Sequence, residues 1–148
     1  MRFYTAGKIW HAPKFRHLRD EVGLPVNARW IDLDALHPIV VSQKDVLWQM
    51  CLEDVTQSDF LLLYCGEESE EQRGALVEIG MAFAAGKPVY AIGRCKSITP
   101  TAISDVAFTH HPLWTWLDTD NLVKGAYYAI ATEIGKRMRR RENQHQAA

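Results

Sequence analysis

The sequence predicts an α/β domain in which helices cover both faces of a doubly wound sheet of about five parallel strands. Predicted strands and helices alternate along the 148 residues, an order that is typical of parallel sheets. The segment Phe60–Tyr64 contains only apolar and aromatic residues, as in a strand that is covered on both faces. Because 47% of the residues are hydrophobic, the chain can build one core. We therefore expect a single domain of residues 1–141, followed by a polar tail of residues 142–148.

The first part of the chain contains the first two predicted strands. Arg2–Ala6 is expected to form a short strand, and Gly7 permits a tight turn after it. Pro13 suits the first turn of the helix that follows. The segment Asn27–Leu33 alternates and contains an adjacent Trp and Ile, so we expect it to form the second strand.

The middle of the chain contains the predicted central helix. Residues 35–42 show no clear period and predict a loop over the mouth of a pocket, whereas Lys44–Gln57 has apolar residues at helical spacing. After the third strand, the acidic residues 66–73 are expected to form a loop. The central helix then begins at Arg73 and ends at Gly86, where a glycine suits the C-terminal cap.

The last part of the chain completes the predicted sheet. Val89–Gly93 is expected as a fourth, buried strand and Leu113–Leu117 as a fifth strand at an edge. Leu122–Met138 predicts a final helix that residues 118–120 can cap. Basic residues 136–141 at its end suit the helix dipole, so we interpret them as a helix end before a nucleic-acid patch.

Composition and charge exclude several classes of partner. Seventeen basic and eighteen acidic side chains give a net charge of −1, so no overall field attracts nucleic acid or a membrane. The three cysteines lack the spacing of a zinc site or a disulfide framework, and His110-His111 has no further ligand nearby in sequence. We therefore expect no metal and no cofactor. Without a signal peptide or a membrane-spanning run, we expect a cytoplasmic protein.

The central helix carries the first candidate site residue, Glu78. Gly74 and Ala82 lie one turn before and after it, so small residues border the carboxylate on its own face and leave room for a ligand. An exposed glutamate that is stabilised by the helix dipole would show the same spacing. Spacing alone leaves both interpretations open.

Three segments together resemble the nucleoside 2-deoxyribosyltransferase family. The first is the pattern Gly74-x-x-x-Glu78-x-Gly80-x-Ala82, followed by residues 86–89. Residues 4–7 resemble the first strand and loop of that family, and Asp54 matches an acidic position upstream of its third strand. The resemblance covers residues 2 to about 93. It implies a flavodoxin-like sheet with strand order 2-1-3-4-5.

The resemblance implies an enzyme that cleaves the N-glycosidic bond of a (deoxy)nucleoside. In that family a carboxylate attacks the sugar to form a covalent glycosyl intermediate, and the deoxyribosyl group passes to another base. By resemblance, Glu78 is the nucleophile and Tyr4 holds it in place. Asp54 matches the acid that acts on the base or sugar side, although a helix-end charge would also explain it.

Other residues are expected to bind the substrate. Gly7, Lys8 and Trp10 follow the first strand, and loops at the carboxyl ends of parallel strands bind ligands in such sheets. Trp10 could stack on a base or serve only in packing. Gly74 gives room beside the carboxylate. Arg73, at the amino end of the central helix, would favour an anion such as a 5′-phosphate.

One departure from the family keeps other functions open. The transferases have a base-binding acidic residue before the glycine segment, where this chain has Gln72-Arg73; Glu70 or Glu71 could substitute for it. Nucleoside 5′-monophosphate N-glycosidases, which are hydrolases, and a non-catalytic nucleotide-binding module therefore remain alternatives. By resemblance we also expect a homodimer or larger homo-oligomer, with 46–50 and 113–117 as interface segments.

Overall fold

The protein is built on a parallel sheet with helices on both faces. A computed structural model describes residues 1–67, 69–95, 98 and 107–146. Within them, four parallel strands are arranged in chain order: β1 (Phe3–Ala6), β2 (Phe60–Cys65), β3 (Val89–Gly93) and β4 (Trp114–Trp116). The helices are α1 (Ala12–Asp20), α2 (Pro38–Val41), α3 (Lys44–Gln57), α4 (Arg73–Ala84) and α5 (Leu122–Gln146).

The register of the strands shows that α4 and α5 lie on opposite faces of the sheet. Tyr4 of β1 is in register with Val89 of β3 through the strand between them, so their side chains lie on one face. Tyr90, one residue further, points to the other face. Because Tyr4 contacts Glu78 of α4 and Tyr90 contacts Glu133 of α5, the two helices cover the sheet from opposite sides.

The predicted second strand, Asn27–Leu33, is wrong. Pairing beside β1 is limited to a bridge between Val26 and Phe3, supported by a hydrogen bond from the Asn27 N–H to the Phe3 carbonyl. The chain then forms a 3₁₀ turn at Arg29–Asp32. The bridge occupies the position of the second strand in a flavodoxin-like order, and the described residues contain four strands where about five were expected.

Side-chain contacts explain why this segment turns instead of extending. Trp30 and Ile31 are both buried, whereas neighbours in a strand point to opposite faces. The Trp30 indole N–H donates to the Thr5 carbonyl at 2.9 Å. The Arg29 backbone N–H donates to Asp54 at 2.8 Å. The turn places both apolar side chains in the core, which an edge strand could not do.

Most other elements agree with the prediction. The bounds of α3 and β3 are those expected, and β4 lies within the predicted fifth strand. The short helix α2 lies within the predicted loop 35–42. Helix α5 is capped by Asn121 and continues to Gln146, past the predicted end at Met138. The predicted tail 142–148 is therefore helical up to that residue, and its last two residues lie outside the described ones. No helix in the described ranges is long and apolar enough to cross a membrane.

Candidate active site

A cavity of about 170 Å³ opens beside the carboxyl end of β1, between α3 and α4. This end of a parallel sheet is where loops rather than paired backbone meet the solvent, so a ligand can reach it. Large apolar side chains form much of the wall, with both Trp30 and Trp48 among them. The other large apolar side chains of the wall are Ile9, Val40 and Leu47.

Glu78 reaches this cavity from the second turn of α4 and is buried. Gly7, Gly74 and Ala75 line the cavity beside it, as expected from their lack of bulk. The Tyr4 hydroxyl of β1 donates to Glu78 Oε1 at 2.6 Å, and Tyr4 itself is fully buried. The interpretation of Glu78 as an exposed surface residue is therefore excluded.

Burial raises the pKa of Glu78 to about 7, although the hydrogen bond from Tyr4 and the nearby Cys51 thiol oppose this effect. Burial and the charge of Glu78 raise the pKa of the Tyr4 hydroxyl well above its usual range, so Tyr4 remains a protonated donor. Close to neutral pH, the Glu78 carboxyl is therefore divided between its neutral and ionised forms.

The raised pKa of Glu78 costs stability as the pH rises. The neutral Glu78 carboxyl makes its full contribution to stability below the pKa that glutamate has in the unfolded chain. This contribution is lost as the pH rises through about 7, the pKa of Glu78 in the folded protein. The loss corresponds to about 3 kcal/mol when converted from the shift. A buried carboxyl group that destabilises its own fold and faces a cavity is typical of a functional site.

Asp54 lies outside the cavity and is turned towards the 3₁₀ turn. It is buried, and its two oxygens accept hydrogen bonds from the backbone and guanidinium N–H groups of Arg29, each at 2.8 Å. These bonds tie α3 to the turn that replaces the predicted second strand. Asp54 therefore has a structural contact in place of the expected access to a ligand.

Three of the expected binding residues also lie outside the cavity wall. Trp10 is 59% exposed, and the Lys8 ammonium lies over its ring, 5.3 Å from the centroid. The Arg73 side chain is 85% exposed and forms an ion pair with Glu71 at 2.7 Å. Gly7 and Gly74 are thus the predicted binding residues that line the cavity.

Sequence reasoning missed Cys51, which lines the cavity from α3. Its side chain is buried and shares the cavity wall with Glu78, and burial raises the pKa of the thiol to about 12. The apolar face of α3 could have indicated it, because Cys51 lies one turn after Leu47, another residue of the wall. Trp30 was missed for a different reason, since it was assigned to a strand that does not form.

Another buried carboxylate, Glu70, connects the 3₁₀ turn after β1 to the loop that precedes α4. Oε1 accepts from the Trp10 indole N–H at 3.1 Å and lies 2.5 Å from His11 Nε2. Oε2 accepts from the Gly66 backbone at 3.1 Å and the Gln72 amide at 3.0 Å. A Cβ at Gly66 would lie 2.4 Å from His11 Nε2, so only glycine permits this contact.

The hydrogen bonds decide the charge of Glu70. Burial raises its pKa, but the contacts with His11, Gly66 and Trp10 outweigh burial, and the net pKa is lowered. Glu70 is therefore an ionised structural group with both oxygens occupied. Because Glu71 pairs with Arg73, neither residue offers a free carboxylate in place of the acidic residue of the transferases.

The fold and the site define an α/β protein with a buried glutamate–tyrosine pair at the carboxyl end of its first strand. Its fold is similar to that of the CMP N-glycosidase BcmB from Clostridium botulinum, with a TM-score of 0.50 and 14% identity over 88% of this chain and 99% of that one. This similarity supports the predicted α/β fold with a parallel sheet, of which the described residues contain four of the about five expected strands. No protein-family model and no curated protein matches the sequence. Within the described ranges, no group of His, Cys, Asp and Glu side chains could hold a metal ion.

Replacing Glu70 with glutamine should destabilise the fold. The amide can accept at only one of its two ends, so at least one buried donor loses its partner, at a cost of about 2–4 kcal/mol. Urea unfolding at pH 7 measures the change. Glu67→Gln, an exposed change in the same loop, is the matched control and should alter stability by less than about 0.5 kcal/mol. Equal stability of the two variants would contradict the role of Glu70.

Proposed function

We propose that the protein is a cytoplasmic enzyme that cleaves the N-glycosidic bond of a (deoxy)nucleoside and transfers the deoxyribosyl group to another base. The observation that carries the proposal is the buried pair of Tyr4 and Glu78 in the wall of the cavity. The pKa of about 7 is compatible with this role, since a nucleophilic carboxylate must be ionised and about half of these groups are ionised at neutral pH.

The reaction would proceed in two displacements at the anomeric carbon. A Glu78 carboxylate oxygen bonds to this carbon while the bond to the base nitrogen breaks, and the base leaves with the electron pair and takes up a proton. Tyr4 orients the carboxylate through Oε1. In the second step, a nitrogen of an incoming base attacks the same carbon, loses its proton and releases the carboxylate.

Two alternatives share the same site. In a nucleoside 5′-monophosphate N-glycosidase, water would resolve the intermediate, and the similarity to the fold of a CMP N-glycosidase favours this function. The composition of the wall favours an unphosphorylated substrate, because the described lining contains no cationic side chain. In a non-catalytic nucleotide-binding module, substrates would bind without release of the base.

Glu78→Gln should abolish release of free base while the protein remains folded. The amide cannot act as the nucleophile, and it removes a buried group whose ionisation opposes folding. The variant should therefore be at least as stable as the wild type at pH 8, as measured by urea unfolding. For the wild type, kcat should rise with pH through a midpoint near 7, because the ionised form reacts.

The assay uses a panel of deoxynucleosides, ribonucleosides and their monophosphates, with free base measured by chromatography. Base release that requires a second base indicates a transferase, and release in buffer alone indicates a hydrolase. Tyr4→Phe keeps the ring and removes only the donor, so it should retain a reduced rate. Near-wild-type activity of Glu78→Gln would remove the nucleophile from the proposal.

Arg73→Ala should leave the choice between nucleoside and monophosphate unchanged. The guanidinium is exposed and paired with Glu71, so it does not meet a substrate in the cavity. The measurement is the ratio of kcat/KM for a deoxynucleoside to that for its 5′-monophosphate, in the wild type and the variant. A monophosphate preference that falls about tenfold or more in Arg73→Ala would instead assign the arginine to a phosphate site.

We also propose that the chain forms a homodimer or larger homo-oligomer. Exposed apolar side chains lie near the mouth of the cavity on α2 and α3, namely Val41, Val46 and Trp48, and patches of this kind mark interaction sites. Of the expected interface segments, 46–50 contributes to this surface, whereas Trp114 of the second is buried. Light scattering at micromolar concentration should give a dimer or more, and Val46→Glu should weaken it; an active monomer would contradict the proposal.

A further inference from the structure

Helix α5 carries an apolar stripe on the side that faces away from the sheet. Its other side packs on β2 and β3 and buries small residues such as Ala126 and Ala129. The residues of the α5 stripe follow one another at steps of four, three and four, and they are Tyr127, Ala131, Ile134 and Met138. This spacing keeps them on one face of a helix. The three large side chains are each about half exposed, and an apolar face of this kind marks an interaction site.

The last part of α5 is helical although it does not pack on the domain. Residues 138–146 are all exposed, yet the helix continues through them to Gln146. Most of the stability of a helix in a protein comes from the packing of one face, and a short helical segment is marginal in water without it. A surface that covers the α5 stripe would provide this packing.

The two ends of α5 carry opposite charges. Asp118 and Asp120 precede its first turn, and residues 139–141 near its end are arginines; all of them are exposed. Neither Asp120 nor Arg141 forms an ion pair with another residue that the structure describes. Because a helix of 25 residues is about 38 Å long, these charges cannot meet within one chain. They can meet between two copies whose helices run antiparallel.

We propose that the α5 stripe packs against the α5 stripe of a second copy, with the two helices antiparallel about a two-fold axis near Ala131. Such an axis makes every contact occur twice. Residue 141 lies ten positions after Ala131 and residue 121 lies ten before it, so Arg141 of each copy is level with Asp120 of the other. The oppositely charged ends of the helix dipoles then lie side by side.

Small residues make room for this contact. Ala131 at the crossing point allows the two helices to approach closely. Tyr127 and Gly135 each lie four positions from Ala131, so the ring of one copy is level with the glycine of the other. A Cβ at Gly135 would meet only the end of the Arg139 side chain, at 3.8 Å. An anionic membrane is a poorer partner, because the exposed Glu142 borders the same stripe one turn after Met138.

The α5 stripe is separate from the surface proposed on α2 and α3. Helix α5 covers the face of the sheet opposite to α4, whereas α3 packs against α4. One chain can therefore use both surfaces at once, and two such contacts build an assembly larger than a dimer. The inference does not depend on the proposed enzymatic activity.

The first experiment measures self-association by analytical ultracentrifugation at micromolar concentration. It uses Val46→Glu as the starting protein, so that the surface on α2 and α3 contributes little. This protein should still form a dimer, and adding Ile134→Glu should raise the dissociation constant about tenfold or more, because a charge then lies in the centre of the interface. Adding Thr132→Glu instead places the same charge on a neighbouring face of α5 and should change the constant less than about twofold.

Urea unfolding shows whether each variant is folded; all three replaced side chains are exposed or partly exposed on helices. A monomeric Val46→Glu protein would overturn the inference and leave the surface on α2 and α3 as the interface. Equal effects of Ile134→Glu and Thr132→Glu would also overturn it.

The second experiment exchanges the charges in the same Val46→Glu protein. Arg141→Asp and Asp120→Arg should each raise the dissociation constant about three- to tenfold at low salt, because two like-charged pairs replace two ion pairs in the symmetric dimer. The effect should shrink in about 1 M salt. The double variant Asp120→Arg/Arg141→Asp should restore the original constant, and failure to restore it would overturn the antiparallel arrangement. Monomers that instead bind vesicles of anionic phospholipid through the α5 stripe would assign it to a membrane and overturn the inference.

Discussion

The hydrogen bond between Tyr4 and Glu78 is the contact on which the site depends, because it joins the first strand to the central helix inside the core. A carboxyl group that loses its water must find donors within the protein. The parallel pairing of β1 and β2 brings Tyr4 under α4, on the face of the sheet opposite to α5. The tyrosine can donate from there because burial and the adjacent carboxylate keep its proton in place. The fold and the proposed reactivity therefore share one contact.

Glu70 and Glu78 show how the number of donors separates a structural carboxylate from the one that we propose as the nucleophile. Both are buried, so burial raises the pKa of each. Glu70 has four partners at its two oxygens, and its pKa is lowered overall. Glu78 accepts a hydrogen bond from Tyr4, and its pKa is raised to about 7. Glu70 is thus an ionised group that joins two loops, whereas Glu78 has fewer donors and faces the cavity.

Local patterns in the sequence predicted the elements whose side chains follow one period, and failed where a tertiary contact decides. Helix α3 and strand β3 were predicted with their bounds, and the resemblance, rather than spacing alone, indicated Glu78. The predicted strand from Asn27 fails because Trp30 and Ile31 are both drawn into the core. Asp54 and Cys51 are three residues apart on one helix, and both are buried. Only the position of the turn, with Arg29, decides which of them faces the cavity.

A fold that two proteins share at 14% identity does not determine the substrate. The side chains that line the site must therefore determine it. The cavity combines aromatic and aliphatic walls with one carboxyl group, an arrangement that suits a neutral, planar group such as the base of the proposed substrate. The cations expected to bind phosphate are held elsewhere: Lys8 lies over Trp10, and Arg73 pairs with Glu71. A phosphate in this site would have to rely on backbone N–H groups at the start of α4. Cationic side chains in the cavity wall would favour a nucleotide, and their absence from the described lining favours a nucleoside.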